Sequence, residues 1–190
     1  MKKYSISPLF IMVLCSFILI DGTVFALYGA AFALIHESAH LLTLKIMGGG
    51  VNTLSLRGMG MRLETTFLSY PKEIATALAG PFINAVLCAV FFCFAYFNFN
   101  KELLFCAVSN LAIFCVNILP IYPLDGGRAL YCALALKTER AGIITKTVSV
   151  IFLLPLAVLS VIILIKSGFN LSLIIICIYL AVMLIGVKTL

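Results

Sequence analysis

Charge is what this chain of 190 residues has least of. Only 11% of its residues are Asp, Glu, Lys or Arg, while 64% are apolar, and the mean hydropathy is +1.22. Soluble domains are roughly half apolar and about one quarter charged, so a soluble protein is excluded and an integral membrane protein is expected. The length suits one compact helical bundle, a single membrane-embedded domain over residues 1–190, and leaves no room for a second sizeable soluble domain. Paired cysteine motifs are also missing. The seven cysteines (15, 88, 93, 106, 115, 132 and 177) lie in or beside apolar segments with no CxxC spacing, which excludes a disulfide framework and leaves core packing. Histidine is nearly absent, with two copies in the whole chain.

Six apolar segments reach about the length a bilayer demands: 5–20, 24–47, 75–97, 103–121, 147–165 and 171–187. The first follows Met1-Lys2-Lys3 and has a signal peptide as its rival, but Ile18-Leu19-Ile20-Asp21-Gly22 makes a poor cleavage site, so it is read as a spanning helix. The net charge of +6 would point to nucleic acid in a soluble protein, yet its placement points elsewhere. With the N-terminus in the cytoplasm, the inner ends and loops hold Lys2, Lys3, Lys45, Arg57, Arg62, Lys72, Arg128, Lys137, Arg140, Lys146 and Lys188, leaving only Lys101 and Lys166 outside. That asymmetry is a topology signal, and no nucleic-acid partner is expected.

The two histidines stand in His36-Glu37-Ser38-Ala39-His40, inside an apolar segment. Positions i and i+4 share a helix face, so both imidazoles can reach one ion. Glu37 sits one step round, where it can act on water as a general base. The competing reading is a pair of buried histidines bonded to backbone. A carboxylate beside them in an apolar helix argues against it, because such a group is costly in a membrane and functional by default.

After the glycines 48–50, Val51-Asn52-Thr53-Leu54-Ser55-Leu56-Arg57 alternates polar and apolar residues, and the alternation resumes from Gly58 to Leu63. A two-strand ribbon at the membrane surface and an ordinary cytoplasmic loop both fit this pattern. Farther on, Ala79-Gly80-Pro81-Phe82-Ile83-Asn84 puts small residues and a proline into a span. Small residues let helices approach closely, and the proline frees a backbone carbonyl. Asn84 either supplies a hydrogen bond to the catalytic region or is simple helix-packing glue.

The second polar stretch is Asn117-Ile118-Leu119-Pro120-Ile121-Tyr122-Pro123-Leu124-Asp125-Gly126-Gly127-Arg128. Its prolines and glycines cannot continue a regular helix, and irregular backbone at membrane depth survives only inside protein or beside a water-filled cavity. A catalytic zinc with two histidines needs a third protein ligand and an open position. No third histidine or paired cysteine exists, so Asp125 is the candidate by elimination, with a helix cap before Gly126-Gly127 as the alternative. In the expected topology both stretches lie at the cytoplasmic ends of helices running from outside to inside, hence on the same side of the membrane.

Together these two motifs resemble the site-2 protease family of intramembrane zinc metalloproteases, and Leu119-Pro120-Ile121-Tyr122-Pro123-Leu124-Asp125-Gly126-Gly127 is most similar to its stage IV sporulation protein FB branch. Ala79-Gly80-Pro81 before Asn84 fits the same family. The resemblance covers about residues 24–135. The apolar segments give an all-α polytopic membrane protein with about six transmembrane helices and a small membrane-associated β-ribbon after the second, and the resemblance implies that a core of three helices carries the site. Relatives often carry a PDZ or CBS domain, and neither is expected in these 190 residues. The resemblance implies zinc on His36, His40 and Asp125, Glu37 activating water, and Asn117 holding the substrate carbonyl or oxyanion. The ribbon, with Val51, Thr53, Leu54 and Ser55, is implied to pair with an unwound substrate segment. The implied partners are the lipid bilayer, a membrane-associated protein substrate such as a sigma-factor precursor or anti-sigma factor, and a regulatory membrane protein. The implied location is a bacterial cell membrane. A metal-binding transporter is disfavoured because the polar chemistry does not run through the whole bilayer depth, and a non-catalytic scaffold because it has no need of Glu37.

Overall fold

The computed structural model describes residues 3–6, 24–49, 51–57, 60–65, 68–167 and 172–186. They fall into two compact units, Met1–Cys115 and Val116–Leu190.

The first unit contains β1 (Lys3–Ile6), α1 (Val24–Ile46), β2 (Val51–Arg57), β3 (Gly60–Thr65), α2 (Tyr70–Asn98) and nearly all of α3 (Lys101–Asn117). Along α1 the buried residues Phe32, His36, His40 and Leu44 recur every four positions, which places them in one stripe. On α2, Thr76, Ala77, Gly80, Pro81 and Asn84 are buried, and α1 and α2 pack against each other. The ring of Phe32 meets that of Phe91 edge-on at 5.5 Å. The outer faces are apolar instead of polar: Leu34, Leu42 and Ile46 of α1, and Phe82, Phe92, Phe94 and Phe97 of α2, are exposed.

Local chemistry sets the helix ends. Gly48 takes a positive φ of 79°, and the Gly49 N–H donates to the Leu44 carbonyl at 2.9 Å, closing the last turn of α1. Lys72 Nζ donates to the Met47 carbonyl at 2.8 Å, a cation at a helix C-terminus. Pro71 sits in the first turn of α2, where no N–H is required. Asn100 Oδ1 accepts from the Glu102 N–H at 2.8 Å and so caps α3.

The second unit continues with α4 (Asp125–Ala135), α5 (Ala141–Ser167) and α6 (Ser172–Gly186). Between α3 and α4 the chain turns through Ile118–Leu124 with a cis Tyr122–Pro123 bond. Ser149 of α5 holds this turn: its Oγ accepts from the Tyr122 N–H at 2.9 Å.

The expected architecture needs correction on three counts. First, the described residues contain six helices, but they are not six spans. Only two, Tyr70–Asn98 and Ala141–Lys166, are long and apolar enough to cross a membrane, and the apolar stretch Leu173–Ile185 is shorter. The 11-residue α4 is not among the six expected segments, and a helix starting there entered only through the alternative role of Asp125 as a cap. Second, the expected span 5–20 lies outside the described residues except for Ser5 and Ile6, which are in β1. Third, the ribbon is not seen in its expected form, a separate pair of strands on an all-α protein. Residues 51–57 are the middle strand of a three-stranded sheet, parallel to β1 and antiparallel to β3. Thr53, Leu54 and Ser55 pair with Lys3, Tyr4 and Ser5 on one side and with Glu64, Leu63 and Arg62 on the other. Val51 pairs with Thr65. A strand has only two hydrogen-bonding edges, so no third strand can add beside residues 53–55.

Candidate metal centre

His36 and His40 are each 5% exposed and stand one helical turn apart on the buried stripe of α1. Each ring is held at Nδ1. The His40 Nδ1 donates to the Thr76 carbonyl of α2 at 2.7 Å, and a carbonyl can only accept. The His36 Nδ1 meets Asn84 Oδ1 at 2.5 Å. Asn84 Nδ2 in turn donates to Asn110 Oδ1 at 2.8 Å, and Asn110 Nδ2 donates to the Cys106 carbonyl at 2.9 Å. Counting back from that carbonyl assigns every donor and acceptor, so His36 too carries its proton on Nδ1. In neutral rings of this tautomer, Nε2 holds the lone pair.

The two Nε2 atoms are 3.1 Å apart. Two neutral rings so protonated turn lone pairs toward each other, which is repulsive unless a cation lies between them. Nitrogen ligands at about 2.05 Å from a tetrahedral zinc stand about 3.3 Å apart, close to the observed spacing. Each histidine passing its second nitrogen proton to a fixed acceptor is also the usual outer arrangement of a zinc ligand. Gly80 of α2 keeps the adjacent space open. A Cβ there would come within 2.6 Å of His36 Nε2 and nearer still to that of His40. The donor set and this cradle fit a divalent metal.

Glu37 is half-buried on the same turn, between the histidines in sequence. Ser38 faces outward, its hydroxyl donating to the Leu34 carbonyl at 2.7 Å. Both fit a motif in which only the first and fifth residues share the inner face.

In the second unit, Asp125 is buried and is the first residue of α4. The N-cap position belongs to Leu124, whose apolar side chain makes no cap bond, so Asp125 is not the cap proposed as its alternative role. Its Oδ1 lies 3.9 Å from Arg128 Nη1, one turn on. Gly126 and Gly127 let this helix start press against the preceding turn. Cβ atoms there would meet the Leu119 and Ile121 carbonyl oxygens at 2.6 Å each, besides closer contacts with Ile118 and Tyr122. Asn117 is half-buried at the end of α3. Val51, Thr53, Leu54 and Ser55 lie on β2 as described.

Three contributors were not legible beforehand, or only partly. Asn84 serves as both alternatives at once, bonding a histidine and tying α2 to α3. Asn110 was missed, although a buried amide seven residues before Asn117 on the same helix was a signal. The carbonyl that takes His40 is that of Thr76, not the Ala77 carbonyl that Pro81 frees, and a backbone acceptor leaves no trace in a side-chain pattern.

No protein-family model and no curated protein matches the chain. Among solved structures, it is similar in fold to a site-2 protease from Methanocaldococcus jannaschii, with a TM-score of 0.67 and 19% identity, over 96% of this chain and 89% of that one.

Proposed function

We propose that this chain is an intramembrane zinc metalloprotease of the site-2 type, with His36, His40 and Asp125 as the metal ligands and Glu37 as the general base. The observation that carries the reading is the pair of imidazoles, each bonded through Nδ1 to a fixed acceptor, with Nε2 atoms 3.1 Å apart. All three ligand candidates are buried, and each offers one atom of a kind that zinc takes. The fold likeness to a site-2 protease supports the same reading. So does the outward face of the two longest helices: only 22% and 11% of their apolar windows are buried, where the core helix of a soluble protein would be mostly buried.

Bound there, zinc supplies a Lewis acid that acidifies water and polarises a peptide carbonyl. Glu37 accepts the proton from the attacking water and returns it to the departing amine. Asn117 donates a hydrogen bond to the oxygen that gains charge during attack. The Thr76 carbonyl and Asn84 hold the two imidazoles, so neither ring reorients as charge moves. The substrate is a membrane-associated protein cut near the cytoplasmic face, and the Leu119–Gly127 sequence favours the stage IV sporulation protein FB branch, hence a sigma-factor precursor or anti-sigma factor in a bacterial cell membrane.

Co-expression of the chain with candidate single-span substrates tests this. Glu37→Gln is expected to keep its zinc while cleavage falls at least about 100-fold. His36→Ala, His40→Ala and Asp125→Ala are expected to lose zinc, measured by metal analysis of the purified protein. Full zinc content in Asp125→Ala would remove that residue from the ligand set, and cleavage by Glu37→Gln at the wild-type rate would end the proteolytic assignment.

A further inference from the structure

We propose that Asn84 and Asn110 form a one-way hydrogen-bond relay, its direction set by the Cys106 carbonyl, that holds His36 in the tautomer able to ligate metal. The inference rests on the zinc reading above and makes both asparagines positioning residues.

A carboxamide is nearly symmetrical in shape but not in polarity. Turned by half a circle, it offers NH₂ where it offered oxygen, with almost no change in the space it fills. Asn84 facing His36 through oxygen favours the proton on Nδ1 and leaves Nε2 for the metal. Facing it through NH₂, the same residue favours the proton on Nε2 and removes the ligand. His40 faces no such ambiguity, because it bonds directly to a backbone carbonyl.

Asn84 therefore needs something to fix its direction, and Asn110 does so. Asn84 Nδ2 donates to Asn110 Oδ1, and Asn110 cannot turn because its own Nδ2 donates to the Cys106 carbonyl four residues earlier. Flipping either amide sets donor against donor or acceptor against acceptor. Both side chains are 0% exposed, so no water relieves the mismatch. The relay crosses three helices, from α3 through α2 to α1, and transmits one bit of information: which end of the His36 ring is protonated.

The chain holds only two histidines, so ¹⁵N-histidine labelling of the full-length protein in detergent resolves both rings. The zinc-stripped wild type is expected to show Nδ1–H at both. In Asn110→Leu, Asn84 loses its director. His36 should then populate both tautomers while His40 stays unchanged, and zinc affinity, read by chelator competition, should fall about 10–100-fold. Asn84→Asp accepts from Nδ1 in either orientation and should keep a single tautomer, although its other oxygen then faces Asn110 Oδ1, acceptor against acceptor, at some cost in affinity. The decisive protein is Asn84→Asp/Asn110→Leu, which should bind zinc at least as tightly as Asn84→Asp alone, since a carboxylate needs no director and no longer faces a second oxygen. An equal loss of affinity on adding Asn110→Leu to that background would show that Asn110 acts by packing, and would overturn the relay. If Asn110→Leu does not fold, Asn110→Asp replaces it. That variant keeps an acceptor toward Asn84, so a changed His36 tautomer there overturns the relay as well. A wild type with Nδ1–H at both rings and no zinc affinity would instead sink the metal reading and leave the relay standing.

Discussion

At the scale of single residues, Gly80 shows how little tolerance the site has. Its missing side chain is what allows α2 to pass the two Nε2 atoms, and any Cβ would contact both. In Gly80→Ala either the helix pair separates or the imidazoles swing away, and tight packing makes each costly, about 1–3 kcal/mol. Zinc content is therefore expected to fall below a tenth of wild type while far-ultraviolet circular dichroism keeps its helical signal. Wild-type zinc in this variant would mean that the metal does not use the space beside both nitrogens. Asp125 illustrates a different constraint. At the first position of a helix its charge is favoured by the helix dipole, and burial makes the ionised form depend on such partners.

At the scale of elements, α5 is what keeps the turn before Asp125 in shape. Ser149 accepts from the Tyr122 N–H and lies 3.4 Å from the Pro120 carbonyl, and its hydroxyl donates to Thr145 of its own helix at 2.8 Å. In Ser149→Ala the Tyr122 N–H loses this partner, at a cost of about 1–3 kcal/mol. Thr145, one turn earlier and fully buried, has a hydroxyl with no hydrogen-bond partner among the described residues. Thr145→Val removes that desolvated group at nearly constant shape and is expected to be neutral or stabilising. Thermal unfolding in detergent should thus move down for Ser149→Ala and stay level or rise for Thr145→Val. A large drop for the valine variant would reveal a partner for the hydroxyl.

At the scale of the whole molecule, the usual distribution of polarity is turned inside out. His36, His40, Thr76, Asn84, Asn110, Asp125, Thr145, Ser149 and Ser160 are buried, while Leu, Ile and Phe side chains cover α1, α2, α5 and α6. Exposed apolar surface on this scale needs a nonaqueous surrounding, and buried polar groups need partners that lipid cannot supply. The charge asymmetry then predicts orientation. Single cysteines introduced near Lys72 and near Lys101, at the two ends of the Tyr70–Asn98 helix, into a cysteine-free background should react with impermeant reagent from opposite sides, the Lys72 end from the cytoplasm. The reverse labelling pattern would overturn this orientation.

The histidine pair, its glutamate and the aspartate after a broken helix were legible because each is a rare polar residue in an apolar chain, at a spacing that a helix converts into a shared face. The apolar character of most helices was legible for the same reason: it is carried by composition over many residues. Tertiary structure alone decided the rest. Whether residues 51–57 form a free edge or a middle strand depends on which distant segment pairs with them, and Lys3–Ile6 gives no local sign of doing so. Which atoms hold the imidazoles was equally hidden. One is a main-chain carbonyl, identical for every residue type, and the other is an amide whose direction is set two helices away. Side-chain chemistry is written in the order of residues, whereas backbone partners and hydrogen-bond direction arise only when helices meet.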